Sequence, residues 1–233
     1  LTLVLVDGVT MYLFDLDTGV VTTPVLPFDK PIKVAYSNKR IVCINEDEII
    51  DLVPNNNKFY WCDPVTATGN GVDNWDELNF ATAESSADPI ISMEVVQGQI
   101  WLFGTRSYEV WDIDANPDLP YRYVGGSSTE VGIRAPDSVT TIGGQVFWLG
   151  SSASGENQVL MSNGYGYVRI SNHAIESFLN KLGARNNDAV GFSYQQEGHT
   201  FYVINFISGN RTYVYYLSTR MWHERSTRDE LTD

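Results

Sequence analysis

The sequence predicts an all-β fold, an incomplete or small β-propeller of about five blades with one short helix near residues 171–182. Three observations predict it. A glycine-bounded aromatic hairpin phrase recurs along the chain; six Trp and thirteen Tyr favour strands, while nineteen Gly supply the turns that many short strands require; and helical periodicity is confined to a single stretch.

The clearest phrase is GQIWLFGTRSYEVWD at residues 98–112, two β-type runs joined by a short glycine-containing link. Ile100, Trp101, Leu102 and Phe103 form a continuous apolar run too short for a helix, which suits a strand covered on both faces. The second run sets Tyr108, Val110 and Ile113 among Glu109, Asp112 and Asp114, as expected of a strand with one face in solvent. The phrase returns closely at 143–150, loosely at 198–204 and 38–44, and again in residues 1–15. Successive starts lie roughly 40 to 60 residues apart, the spacing of propeller blades, each too small to bury both faces alone.

Taken in order, residues 1–25 read as two strands around Asp7-Gly8, then a turn at 15–19 leading into Val20 and Val21. Asp15, Asp17 and Gly19 match the start of a calcium loop but lack its later ligands, so they read as turn chemistry. After Pro24, Pro27 and Pro31, strands are expected at 32–36, 41–44 and 49–53. Residues 54–89 break the pattern and read as an inserted loop with turn-rich segments at 55–57 and 68–71; its aromatics Phe59, Tyr60, Trp61, Trp75 and Phe80 imply packing on its own body or on a neighbouring subunit. A second irregular stretch runs from 116 to 136. Strands resume at 138–142, the run 151–155 reads as a flexible turn, and strands follow at 158–161 and 167–170 around the Asn163-Gly164 turn.

Ser171–Leu182 is the expected helix, with Ser171 as N-cap, an apolar stripe of Ile175, Phe178, Leu179 and Leu182, and Gly183 as stop. That stripe packs on its own blade or forms a subunit interface, to which Trp61 and Trp75 would also contribute. Three strands are expected at 190–194, 200–206 and 211–217, with Trp222 in a returning segment filling space between blades and a charged tail fraying from 225 to 233.

A chain of 233 residues with 43% hydrophobic content can bury a large core, and the expectation is a single propeller-like domain over residues 1–233. It starts at Leu1 within a strand-like run, which suggests a piece of a longer chain. The net charge of −14 argues against binding nucleic acid by phosphate neutralisation, yet suits a surface that lets DNA pass without sticking. Cys43 and Cys62 cannot build a disulfide framework and read as free thiols of a reducing compartment. There is no basic-start signal peptide, and no apolar run approaches the roughly 20 residues that span a bilayer, so no membrane partner is expected.

Chemistry is sparse. His173, His199 and His223 lack zinc-site spacing, and there is no nucleophile elbow, Walker loop or dinucleotide fingerprint, so no metal and no cofactor are expected. A propeller glycosidase would need two carboxylates roughly 5 to 10 Å apart, for which Asp88, Glu109, Asp112 and Glu130 are the nominees. Exposed aromatics such as Trp61, Trp75 and Trp101 would suit that reading or a glycan-binding module acting on host surface carbohydrate.

Five phrases in order carry a family resemblance: FATAESSADPI at 80–90, IWLFGTRSYEVW at 100–111, VGIRAPDSV at 131–139, QVFWLG at 145–150 and ISNHAIE at 170–176. Over this stretch the chain resembles the packaged-DNA stabilisation proteins, or tail hub proteins, of P22-like short-tailed phages. The resemblance implies a non-enzymatic virion part, assembled in the host bacterial cytoplasm and present in several copies as a ring at the portal vertex. Such a part closes the channel after packaging and connects the portal adaptor to the tail needle. It implies no catalytic residues, and this chain is shorter than a full hub protein of that kind.

Overall fold

The computed structural model describes residues 1–46, 57–65, 71–83, 88–152 and 156–226, and among them places five antiparallel sheets and one α-helix. The expected strand at 49–53 and the turns at 55–56 and 68–70 lie outside the described residues, as does most of the tail. The chain divides into two compact units, Leu1–Glu130 and Val131–Asp233.

In the first unit, sheet one holds β1 (Thr2–Val6), β2 (Met11–Asp15) and β3 (Val21–Thr22). Sheet two is β4 (Pro31–Ser37), β5 (Arg40–Asn45), β6 (Lys58–Trp61) and β7 (Phe80–Thr82). Sheet three is β8 (Ile90–Val96), β9 (Gln99–Gly104), β10 (Tyr108–Ile113) and β11 (Tyr121–Tyr123). Residues 54–89 are therefore no simple insertion, because β6 and β7 complete sheet two. Their turn-rich surroundings mask short strands whose register is set by pairing, Cys43 opposite Tyr60 and Phe59 opposite Ala81. The 116–136 stretch likewise contains β11, paired to β10 with Asp112 opposite Arg122.

In the second unit, sheet four comprises β12 (Val131–Ile133), β13 (Thr140–Ile142), β14 (Gln145–Ser152), β15 (Asn157–Asn163) and β16 (Gly166–Arg169). Strand β14 runs through Ser151 and Ser152, which were expected in a turn. Helix α1 (His173–Leu182) follows, then sheet five with β17 (Ala189–Gln196), β18 (His199–Phe206), β19 (Arg211–Tyr216) and β20 (Met221–Arg225).

The recurring phrase is the entry into the second strand of each sheet. Four of these entries are two-residue turns with both residues at positive φ: Asn38 and Lys39 (48° and 60°), Gln97 and Gly98 (52° and 85°), Gly143 and Gly144 (59° and 82°), Glu197 and Gly198 (52° and 80°). Such turns match the twist of the strands they join. The strands they introduce are buried on both sides, because alternate residues enter different cores. In β5, Val42 and Ile44 pack with Ile100, Leu102 and Tyr121 of sheet three, whereas Cys43 packs with Met11 and Leu13 of sheet one. In sheet four, Phe147 and Leu149 join Tyr202, Ile204 and Phe206 of sheet five and the helix residues Ile175 and Leu179.

Polar tips of aromatic side chains fasten neighbouring sheets. The Tyr121 hydroxyl donates to the Ser37 carbonyl at 3.1 Å, joining sheets three and two. Tyr202 donates to the Ser138 carbonyl at 2.9 Å, and the Trp222 indole donates to the Ile170 carbonyl at 2.7 Å, joining sheets five and four. Trp222 thus fills the inter-sheet position expected of it. Ser138 is a junction: its hydroxyl donates to the Ala135 carbonyl and accepts from the Leu149 amide at 2.7 and 2.9 Å. Gly191 of β17 packs against the same peptide, where an added Cβ would stand 2.1 Å from the Ser138 carbonyl oxygen.

The helix cap falls one residue later than expected. Asn172 is the N-cap, its side chain accepting from the Ile175 amide at 3.0 Å. Ser171 is engaged elsewhere, since its hydroxyl accepts from the Val159 amide at 3.1 Å and donates to Glu176 at 2.8 Å.

Three outcomes follow for stability. Gly191→Ala should lose about 1–3 kcal/mol or more, because backbone faces the new methyl and cannot rotate aside. Gly125→Ala, with nothing within 4 Å of its Cβ position, should stay within about 0.5 kcal/mol of the parent in urea unfolding. At high pH, burial pushes the Tyr121 hydroxyl up to about 12 and raises that of Tyr202 further. The folded state then holds protons that the unfolded tyrosines release near pH 10, so this stabilisation is complete below about pH 10 and is lost as pH rises. The unfolding free energy from urea titration should fall through that window by up to about 1.4 kcal/mol per pH unit for each tyrosine, and less steeply in Tyr121→Phe.

Candidate functional site

The four nominated carboxylates serve structural roles or stand in solvent. Asp88 is 4% exposed and caps the turn between β9 and β10. It accepts from the Thr105 hydroxyl at 2.5 Å, the Arg106 and Ser107 amides at 2.6 and 2.8 Å, and the Ser107 hydroxyl at 3.1 Å. Gly104 makes room for it, as a Cβ there would meet Asp88 Oδ2 at 2.3 Å. Glu109 is 4% exposed and accepts from the Trp111 indole at 2.6 Å. The expected solvent face of β10 is thus closed as far as Trp111, because the indole N–H supplies the partner that lets a carboxylate be buried. Asp88 and Glu109 border one cavity of about 10 Å³, space for about one water and none for a sugar ring. Asp112 lies 3.7 Å from Arg122 across the strand pair, and Glu130 is exposed.

The aromatics expected to be exposed are core residues: Trp61, Trp75 and Trp101 are 1%, 8% and 4% exposed. Trp61 packs edge-on to Tyr121, and the Trp75 indole donates to the Val72 carbonyl at 2.9 Å. Neither presents a face on which a saccharide or a neighbouring subunit could stack. The helix stripe is spent in the same way. Ile175, Leu179 and Leu182 are buried in the core between sheets four and five. Phe178 meets Phe206 and Tyr213 edge-on at 5.3 and 5.6 Å, with the Arg211 guanidinium over its ring. The contacts of this stripe within the second unit are those of packing on its own sheets.

The remaining candidates hold no concentrated chemistry. His173, His199 and His223 are exposed and lie in separate elements, with the His199 ring hydrogen-bonded to the Tyr216 hydroxyl. Among the described residues no group of His, Cys, Asp and Glu could hold a metal ion. Cys43 and Cys62 are free and buried, and burial raises both thiols. The Asp15 carboxylate accepts from the Asp17 amide at 2.9 Å, the turn chemistry expected there. A cleft of about 510 Å³ opens beside α1, lined by polar residues including Gln158, His173, Asn180 and Lys181, and contains its own Arg169–Glu176 pair at 3.7 Å. No described helix is long and apolar enough to cross a membrane.

Two features escape sequence reasoning. Buried serines take up strand amides, Ser127 from Val110 at 3.0 Å and Ser162 from Val146 at 2.8 Å. Neither a loop serine such as Ser127 nor a strand serine such as Ser162 gives a periodic signal of that duty. Charge is also divided unevenly: Leu1–Glu130 has seven Lys and Arg against twenty Asp and Glu, whereas Val131–Asp233 has eight against nine. A count over the right boundary would have found it, but the boundary is a property of the fold.

Comparison with known proteins turns this assembly of sheets into a family. No curated protein matches the chain. Among solved structures it is similar to Hsv2 of Kluyvelomyces marxianus, with a TM-score of 0.52 and 8% identity over 93% of this chain and 58% of that one. It is also similar to the extracellular domain of BT4673 from B. thetaiotaomicron, with a TM-score of 0.52 and 9% identity over 96% of this chain and 26% of that one. At such identities the likeness speaks for the fold alone, and the chain spans under two thirds of either relative. Residues 65–227, with three of the five recurring phrases and both inter-sheet tyrosines among them, match the phage stabilisation family described as "Bacteriophage P22 Gp10, beta-propeller", and the chain belongs to that family.

Proposed function

We propose that this chain is a propeller portion of a plug at the portal vertex of a short-tailed phage, working in a ring of several copies. There it retains packaged DNA and joins the portal adaptor to the tail needle. Membership of the phage stabilisation family over residues 65–227 carries the reading. The part such a protein plays is mechanical, and the described residues suit it: their buried carboxylates and indoles fasten turns and sheets instead of meeting at a reacting centre. The charge of the first unit supports a DNA-facing role without adhesion. Thirteen more acids than bases repel phosphates, and the repulsion reaches about 8 Å at physiological salt. A genome held by such a plug is blocked by shape and can leave without first being peeled from a basic surface. Glycan hydrolysis finds no support in the geometry, since Asp88 and Glu109 are consumed in turn and indole bonds and Trp61, Trp75 and Trp101 are buried.

Phage particles assembled without the parent protein should package full-length DNA and then lose it to added nuclease, with retention restored when the protein is supplied. In a separate assay this chain should leave labelled duplex DNA unretarded at physiological salt. Unchanged retention in its absence, or tight duplex binding, would overturn the reading.

A further inference from the structure

Within each unit the sheets pack in a fixed sense, each presenting one face to the sheet before it and the other to the sheet after it. Val4, Val6, Met11 and Leu13 of sheet one meet the Cys43 and Tyr60 face of sheet two. Val42 and Ile44 of sheet two meet the Ile100 and Leu102 face of sheet three, and Phe147 and Leu149 of sheet four meet the Tyr202 and Ile204 face of sheet five. Two apolar faces stay open. On sheet one, the register sets Leu3 beside Phe14, Leu5 beside Tyr12 and Phe14 beside Val21, all on the side turned away from sheet two. Leu5 and Val21 are 49% and 55% exposed there. On sheet five, Val190, Phe192 and Tyr194 of β17 share the side turned away from sheet four with Phe201 of β18, Tyr216 of β19 and Met221 of β20. Tyr194, Phe201 and Tyr216 stack in a row across three strands, successive ring centres 4.9 Å apart, while Phe192 and Met221 are 50% and 57% exposed. Contiguous exposed apolar patches of this kind mark sites of association.

We infer that the open face of sheet five in one copy of the chain packs on the open face of sheet one in a second copy. Continuity with the interfaces already built carries the pairing: each joins the later face of one sheet to the earlier face of the next, and the open faces are one of each kind, later on sheet five and earlier on sheet one. Charge disfavours pairing like with like. The Arg225 guanidinium lies on the sheet-five face and donates to the Tyr194 hydroxyl at 2.6 Å, with His199 and His223 on the same side, so two such faces would set guanidinium toward guanidinium. Two sheet-one faces would bring together units with twenty acids against seven bases each, whereas the unit that carries sheet five has nine against eight. Because the two faces differ, the contact is heterologous and copies add head to tail. Three strand spacings and about six residues give a face of roughly 14 by 20 Å, smaller than standard interfaces bury, so the copies meet at micromolar concentration and part on dilution. Such pairing goes beyond the plug role and depends only on sheet packing, so genome retention and the association tested below can fail independently.

The test is sedimentation velocity of the whole chain from about 1 to 200 μM, with two variants that each spoil one face. Leu5→Glu places a charge on sheet one and Phe192→Glu on sheet five; both sites are half exposed, so the variants fold, which circular dichroism checks. The parent should gain mass with concentration, and each variant alone should associate at least tenfold more weakly, because the contact would bury an unpaired carboxylate. An equimolar mixture of the two should form a one-to-one dimer and nothing larger, since each variant keeps the face that the other has lost. Leu78→Glu alters an exposed leucine on neither face and should associate like the parent. A parent that stays monomeric throughout, a single variant that associates as the parent does, a mixture that forms no dimer, or a Leu78 variant as impaired as the other two would each overturn the inference.

Discussion

A small twisted sheet that is apolar on both faces cannot bury itself, and everything else in this protein answers that constraint. The second strand of each sheet is the sharpest case, since neighbouring residues such as Val42 and Cys43 belong to different cores. Packing sheets face to face removes the apolar area from water, but the peptide groups at their margins still need partners. Tyr121, Tyr202 and Trp222 meet both needs, contributing large apolar bodies to the inter-sheet core and a donor to a carbonyl of the next sheet. Each such bond is worth about 1 kcal/mol net, but the carbonyl it satisfies would cost about 1–3 kcal/mol if buried alone. Serines at 127, 138, 162 and 171 do the corresponding service for amides.

The same logic explains why the polar residues that look reactive are quiet. A carboxylate buried at Asp88 is tolerable because two amides and two hydroxyls converge on it, and those donors leave it little capacity for anything else. Exposed acids are left to set the field of the molecule. Their concentration in residues 1–130 gives the two units different electrostatic characters on one kind of scaffold.

Much of the architecture could be read from residue order. The aromatic run at 100–103 marked a strand buried on two sides, and the returning phrase marked the second strand of four further sheets, because glycine-bounded turns and apolar runs are local signals. The family could be read from five short phrases. What escaped was short or conditional. Strands β6, β7 and β11 have three or four residues each and exist because a longer partner holds them in register, which composition does not reveal. The helix cap fell to Asn172 because Ser171 was already committed to a strand 12 residues earlier. Burial of Glu109, Trp61 and Trp75 likewise depends on neighbours far along the chain, so the same residue types that suggest a binding surface in the sequence turn out to fill the interior.

The strand order has a kinetic consequence. In sheets one, two, three and five every strand pairs with the one just before or after it, so each can close soon after its last residue leaves the ribosome, with little loop entropy to overcome. Sheet four differs: β12 bonds to the far half of β14, Val131 opposite Ser152, while β13 takes the near half, Thr140 opposite Phe147. Neither β12 nor β13 has an edge to join until β14 is made. Strand β12 therefore stays unpaired until β14 is made, and a translational pause before residue 152 would leave its apolar residues open to mispairing.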